Sequence, residues 1–359
     1  MKIGILTYHR SNNYGALLQA IALRTVLSDR GHDVTFVDYW PSYQRDRYSL
    51  FSFKWLMKTQ KGFSRKWKYV KNCVYNYNYR KDRNKVFNSF KSEYIFPYVS
   101  SYNDSYDMII HGSDQIWRKQ PEINSYDPVY FGNSIINASK KISYAASMGF
   151  LPNEKDIPVL KENLSFLDHI SVRESNLLKF ISDIGYSVRQ DLDPTLLLPS
   201  SRWKELFGFK DIEKPYVFYY KLQNTFDIGK MRAFAKMHNC SLKVISGKDR
   251  SDYNGDGCDE IENPRQFLEL LSNASYVFTS SFHGLAFALL FHKPFYASFN
   301  KVDRAYSLLS SLGLLNRLLK PKDFIPFNET EIDYKKVDNT LELLRKDSLS
   351  YLVGQDITV

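Results

Sequence analysis

The sequence predicts an α/β protein built from two domains with parallel sheets, and three observations predict it. At 359 residues the chain exceeds one ordinary hydrophobic core. Short β-branched or aromatic runs alternate with apolar segments of helical length, the pattern of βαβ units. Polar knots also stand between paired apolar runs, as in YVFTSSFHGLAFALLFHKPF from Tyr276 to Phe295. There Tyr276 to Phe278 reads as an interior strand and Leu285 to Phe291 as a buried helix. The knot between them is then a strand-to-helix turn at the carboxyl edge of a sheet, where open α/β folds bind ligands.

Lys2 to Leu6 reads as the first strand, followed by a polar loop from Thr7 to Gly15. A helix runs from about Ala16 to Asp29, Gly31 ends it, and Val34 to Val37 returns as a strand. The loop lacks both GxGxxG and GxxxxGK[ST], which argues against a dinucleotide or P-loop site. After a basic segment the pattern resumes with a strand at Met108 to Ile110 and the turn His111-Gly112-Ser113-Asp114, which opens either a loop or a helix capped by Asp114. Lys141 to Gly149 reads as a strand ending in small residues, and His169 to Ser175 as another. Leu196 to Trp203, flanked and interrupted by Pro194 and Pro199, reads as a linker. Strands follow at Tyr216 to Tyr220, Leu242 to Ile245, Tyr276 to Phe278 and Phe295 to Ser298. Asn263-Pro264 starts a helix between the second and third of them, and Lys335 to Leu352 forms a closing amphipathic helix. The expected domains are 1–198, with an insertion over about 42–92, and 199–330. A helical segment, 331–359, packs back on them, and the two domains face a cleft.

Apolar content of 43% and charged content of 25% suit a soluble globular chain, and no apolar run reaches the roughly 18 residues that span a bilayer. MKIGILTYHRSNN is too short an apolar start for a signal peptide. Cys73, Cys240 and Cys258 are odd in number and widely spaced, which fits neither a disulfide framework nor a zinc site and points to a reducing, cytoplasmic location. The formal charge of +10 is concentrated: Arg45 to Lys91 holds fourteen basic residues against Asp46 and Asp82, a net +12. Twelve aromatic residues are interleaved there, among them Phe53, Phe63 and Trp67. That composition suits the inner face of an anionic membrane, a nucleic acid, or a solvated helical insertion packed by its aromatics. No nucleic acid is expected, since the remaining motifs point elsewhere.

Five strings occur in order: NYGALLQAIAL at 13–23, HGSDQIW at 111–117, SYAASMG at 143–149, SVRES at 171–175 and SSFHGLAFALLFHKPF at 280–295. Together they resemble the polysaccharide pyruvyl transferase family over most of the chain. The resemblance implies two Rossmann-like halves similar to the GT-B glycosyltransferases. It implies transfer of a pyruvyl group from phosphoenolpyruvate to two hydroxyls of a sugar or lipid-linked oligosaccharide. The product is a cyclic ketal on a capsule, exopolysaccharide or other surface polysaccharide. Relatives often carry Arg two residues before the His of the last string, where this chain has Ser281, so the donor's cation comes from elsewhere or the donor differs.

Such chemistry needs a proton donor, a base, and cations for a phosphate and a carboxylate, with no metal or cofactor beyond the donor substrate. His283 is the first candidate for acid and base, because imidazole titrates near neutrality; as a structural residue it would only complete the turn. Asp114 is the candidate base for the acceptor. Arg173 offers a planar fork for the donor's anions, or a surface ion pair with Glu174 or another acid. Ser280, Ser281 and Gly284 would hold the donor at a helix start, or cap and pack it. Lys221 and Arg304 are the candidates to replace the missing Arg. Gln115 and Trp117 would bind the acceptor, with Trp117 as a stacking face or as core, and Asn12, Asn13 and Gly15 would line the same site or shape a turn. The rivals are a glycosyltransferase using a nucleotide sugar and a non-catalytic binding protein of a polysaccharide assembly.

Overall fold

The computed structural model describes residues 1–59, 62–133, 136–210, 214–246, 262–323, 326 and 331–354. Lys61 and Cys258 lie outside the described residues. The chain divides into two compact units, Met1–Pro194 with the segment from Ser348 on, and Thr195–Asp347. Each is α/β with an all-parallel main sheet.

The first unit runs β1 (Lys2–Leu6), α1 (Tyr14–Ser28), β2 (Asp33–Val37), then four helices, α2 (Ser42–Tyr48), α3 (Phe53–Thr59), α4 (Phe63–Tyr75) and α5 (Tyr77–Tyr94). It continues with β3 (Val99–Ser100), β4 (Ser105–His111), β5 (Asn137–Ser143), α6 (Ile157–Leu164), β6 (Ser171–Val172), α7 (Ser175–Asp183) and β7 (Arg189–Gln190). The main sheet has the order β3-β2-β1-β4-β5. That is the order of a Rossmann half, with its switch point between β1 and β4. Single parallel bridges, Ile142 to His169 and Ala146 to Val172, attach the small β6–β7 pair.

The second unit runs α8 (Ser200–Phe207), β8 (Tyr216–Lys221), α9 (Ile228–Met237), β9 (Ser241–Ser246), α10 (Pro264–Asn273), β10 (Tyr276–Thr279), α11 (Phe282–Leu290), β11 (Phe295–Ser298), α12 (Asp303–Ser311), β12 (Leu318–Leu319) and α13 (Tyr334–Val353). Its sheet order, β12-β11-β10-β8-β9, is the other common doubly wound order, with the switch point between β8 and β10. α13 ends among the residues of the first unit. There Ser348 Oγ accepts the Leu192 N–H at 3.0 Å and Tyr351 donates to the Ser143 carbonyl at 2.9 Å.

Local chemistry explains most boundaries. Asn13 caps α1, its side-chain oxygen accepting the Ala16 N–H, so the helix starts two residues before the expected Ala16. α10 opens with a full capping box, Asn263 and Gln266, and Pro264 in its first turn, as its sequence predicts. The expected strand Lys141 to Gly149 stops at Ser143, because Ala145 (φ 44°) and Gly149 (φ 72°) leave the extended region. His169 to Ser175 gives only the two-residue β6. HGSDQIW forms a turn instead of a helix; Asp114 sits at φ 69° and caps nothing. Among the described residues, no helix is long and apolar enough to cross a membrane.

Two buried histidines set a pH limit on the first unit. His9 stacks on Phe36 with ring centroids 5.4 Å apart, and His111 is fully buried at the end of β4. Burial, assisted by the Arg10 charge, lowers His9 to about 4, and burial, assisted by Lys141, lowers His111 to about 3. Both folded values lie below the unfolded one of about 6.5, so the unfolded chain binds more protons in between. The stability is therefore complete above about pH 6.5 and is lost as the pH falls toward 4 and then 3, at about 3 kcal/mol for His9 and about 5 kcal/mol for His111. Urea unfolding at pH 7 and pH 4.5 should show the parent losing about 2 kcal/mol more than His111→Leu between the two values. Equal losses would mean that His111 carries its proton in the folded protein.

Candidate active site

Nearly every residue singled out by the sequence falls at the carboxyl edge of one of the two sheets, most of them around its switch point. In the first unit the loops that leave β1, β4 and β5 are tied together by buried polar groups. Gln19, fully buried on α1, donates from Nε2 to Thr7 Oγ1 at 2.9 Å and accepts the Ser113 N–H at 3.2 Å. Thr7 Oγ1 in turn donates to the Ser113 carbonyl at 3.1 Å, and Ser113 Oγ donates to the Ala145 carbonyl at 2.9 Å. Tyr8 donates to the Gln115 carbonyl and accepts from Gln120. Three crossovers are thereby fixed against one another, and no polar group of the lock needs water.

Asp114 stands on this platform with its carboxylate partly exposed, and Arg173 Nη2 lies 3.7 Å from it. Arg173 itself is buried and bonds through Nη1 to the fully buried Asp193 carboxylate. Burial works against the guanidinium cation, but Asp193, Glu174 and Asp114 outweigh it and raise its pKa further. Glu174 accepts from Ser147 Oγ at 2.6 Å. The fork expected to receive a donor is therefore engaged by two carboxylates, and the pair is buried, not the surface bridge weighed for it.

The structure redistributes the expected acceptor residues. Trp117 is fully buried, donates its indole N–H to the Tyr130 carbonyl at 2.9 Å and stacks on Phe131 at 4.9 Å. Its face is spent on the core, so it is no sugar platform. Asn13 is used as the α1 cap and Gly15 is buried in the first turn. Asn12 donates to Asn84 at 2.6 Å and accepts from Lys91 at 2.9 Å, while its carbonyl accepts from Arg83. Asp114 and Gln115 keep partly exposed side chains at the edge. Lys91, one of the fourteen basic residues of the insertion, is 4% exposed, and burial, then the charge of Arg10, lowers it to about 8.

In the second unit Ser280 Oγ accepts the N–H groups of Leu222 and Gln223 at 2.8 and 2.9 Å, which lashes the loop after β8 to the end of β10. Gln223 extends the tie by accepting the Asn300 N–H at 2.8 Å. Ser281 caps α11 by accepting the Gly284 N–H, and Thr279 Oγ1 accepts the Ser281 N–H at 3.0 Å. The hydroxyl of Ser280, which also donates to the Gln223 carbonyl at 3.3 Å, is thus committed to this tie. Gly284 is small for packing: a Cβ there would lie 2.2 Å from Thr279 Oγ1 and 3.1 Å from the Tyr220 ring. His283 occupies the first turn of α11 at 6% exposure. Lys221 ends β8 half-buried beside this knot, and the Arg304 guanidinium lies 5.7 Å from the ring of Phe282, the neighbour of His283. One imidazole and two cations therefore share the carboxyl edge with the positive end of a helix.

Sequence reasoning missed Gln19, Asp193 and Gln223. Gln19 left a signal, as the one amide in the apolar string ALLQAIAL. Asp193 and Gln223 left none, because their partners lie in other segments.

A family model described as polysaccharide pyruvyl transferase matches residues 13–298, most of the chain. No curated protein matches significantly. Solved structures overlap it weakly. An uncharacterized protein from Klebsiella pneumoniae has 16% identity over 70% of this chain and 86% of its own, with a TM-score of 0.39. A UDP-N-acetylglucosamine 2-epimerase from Rickettsia bellii has 11% identity over 100% and 98%, at 0.43. The E. coli heptosyltransferase with ADP has 12% identity over 96% and 100%, at 0.43.

The Arg173–Asp193 pair is the costliest feature of the first edge to disturb. Arg173→Met leaves a buried carboxylate without its guanidinium and should cost about 3–5 kcal/mol in urea unfolding, while Arg173→Met/Asp193→Leu recovers a large part. A single-variant cost below about 1 kcal/mol would place the pair in contact with water.

Proposed function

The chain belongs to the polysaccharide pyruvyl transferase family, and from that membership we propose that it transfers a pyruvyl group from phosphoenolpyruvate to two hydroxyls of a sugar. The observation that carries this reading is the family match over residues 13–298, which takes in Asp114, Arg173, Lys221 and His283.

The reaction begins with protonation of the methylene carbon, which places oxocarbenium character on the carbon bearing the phosphate and carboxylate. One sugar hydroxyl forms a C–O bond there and loses its proton, phosphate departs with its C–O bond electrons, and the second hydroxyl closes the ketal and loses its proton. His283 is the proposed proton donor. Lys221, Arg304 and the N–H groups at the start of α11 are the proposed ligands of the phosphate and carboxylate, in place of the Arg that relatives carry at position 281. Asp114 is the proposed base for the hydroxyls, and Arg173, bonded to Asp193, is a positioning residue for it. The acceptor is a sugar, free or carried on a lipid, and the product belongs to surface polysaccharide synthesis at the cytoplasmic side of a membrane.

Phosphoenolpyruvate should raise the melting temperature more than UDP- or GDP-sugars, since a ligand of the native state stabilises by mass action. His283→Gln should keep that response and lose ~10²–10⁴ in phosphate release and ketal formation with a galactoside, glucoside or mannosaminide panel. Stabilisation by a nucleotide sugar alone would move the assignment to glycosyl transfer. Ketal formation at near the parent rate by folded His283→Gln would make His283 a turn residue.

A further inference from the structure

The helical insertion has a second apolar face that its own packing does not use. α4 packs inward through Lys66, Tyr69, Val70 and Cys73, all buried or half-buried. Tyr69 meets Trp55 at 4.9 Å and Phe51 at 5.8 Å, and Lys66 Nζ reaches Met57 Sδ of α3 at 3.4 Å. An ordinary helix of this kind is polar on its other side. Here Phe63, Trp67, Lys71 and Val74 form one outward stripe, within about 80° at 100° per residue. Phe63 is 85% exposed, Val74 74% and Trp67 54%. Tyr75, and Phe53 and Met57 of α3, are exposed as well.

Charge accompanies the stripe. α4 carries no acid; Lys71 lies in the stripe, Lys68 on its flank and Arg65 exposed farther round the helix, while Lys66 is the inward one, and Lys71 Nζ lies 5.7 Å from the Trp67 ring. An exposed aromatic and aliphatic row with cations along it is the pattern of a helix lying in an anionic interface, its rings in the headgroup boundary and its ammonium groups among phosphates. A nucleic acid explains the cations and rings but gives Met57 and Val74 no partner, since bases stack on π-faces.

We propose that the outer face of α4, with Phe53 and Met57 of α3, docks on an anionic lipid surface. The proposal is independent of the donor chemistry and survives if that assignment fails. The full chain should float with phosphatidylglycerol–phosphatidylcholine vesicles at low salt, remain unbound to phosphatidylcholine alone, and release as salt shortens the Debye length. Arg65→Gln/Lys68→Gln/Lys71→Gln should weaken partitioning roughly a hundredfold, at about 1 kcal/mol per charge. Phe63→Ser/Trp67→Ser should weaken it at least about tenfold. All five positions are exposed, so circular dichroism should match the parent in both variants. Three results would overturn the proposal: no flotation of the parent at low salt; flotation that both variants retain; or self-association or single-stranded oligonucleotide binding through Phe63 and Trp67 in place of flotation.

Discussion

The arrangement at each sheet edge depends on one constraint: backbone leaving a parallel strand must satisfy its polar groups where water is excluded. In the first unit Gln19 meets it, an amide buried among the apolar residues of the first turns of α1, serving Thr7 and Ser113 together. In the second unit the hydroxyl of Ser280 does so for two successive N–H groups of the neighbouring loop. Because each tie joins the two strands that flank a switch point, it also fixes the groups that project from it. Asp114 inherits its place from the first tie. Lys221 and the start of α11 inherit theirs from the second.

Electrostatics divides labour within those edges. Arg173 is too deeply committed to Asp193 to act as a free anion fork, and its remaining reach goes to Asp114, a carboxylate of the same edge. Asp193, Glu174 and Asp114 together hold that buried guanidinium in its charged form against the cost of burial. The second unit has the complementary set, Lys221 and Arg304 beside a helix start, which suits an anion. The serine at 281 fits the division, since it caps the helix that an Arg side chain would otherwise leave to other groups.

How far the sequence could be read follows from the range of the interactions involved. Strand and helix positions were legible because apolar alternation and capping are local: β11 runs Phe295–Ser298 as expected, and Asn263-Pro264 opens α10. The knot from Thr279 to Gly284 was legible as a strand-to-helix turn for the same reason. What its residues do was not. Ser280 looks like a phosphate ligand until Leu222 and Gln223, 57 or more positions away, are seen to use its oxygen. Gly284 suggests room for substrate until Thr279 Oγ1 is seen to fill that room. Trp117 reads either as a stacking face or as core, and only the tertiary packing against Phe131 decides for the core.

The basic insertion shows the same limit in charge. A net +12 over Arg45 to Lys91 describes the segment's composition, not its surface. Arg47 is paired with the buried Glu122. Arg83 and Lys91 turn inward on α5 to hold the carbonyls and side chain of the loop at Arg10 and Asn12. Those cations stabilise the first unit's own edge and offer little to a partner. Three exposed cations, Arg65, Lys68 and Lys71, lie on α4, the helix that also exposes Phe63 and Trp67 and carries no acid. Burial therefore separates two roles that composition merges: α5 braces the loop after β1, and α4 presents a cationic, aromatic face whose apolar area stays exposed among the described residues.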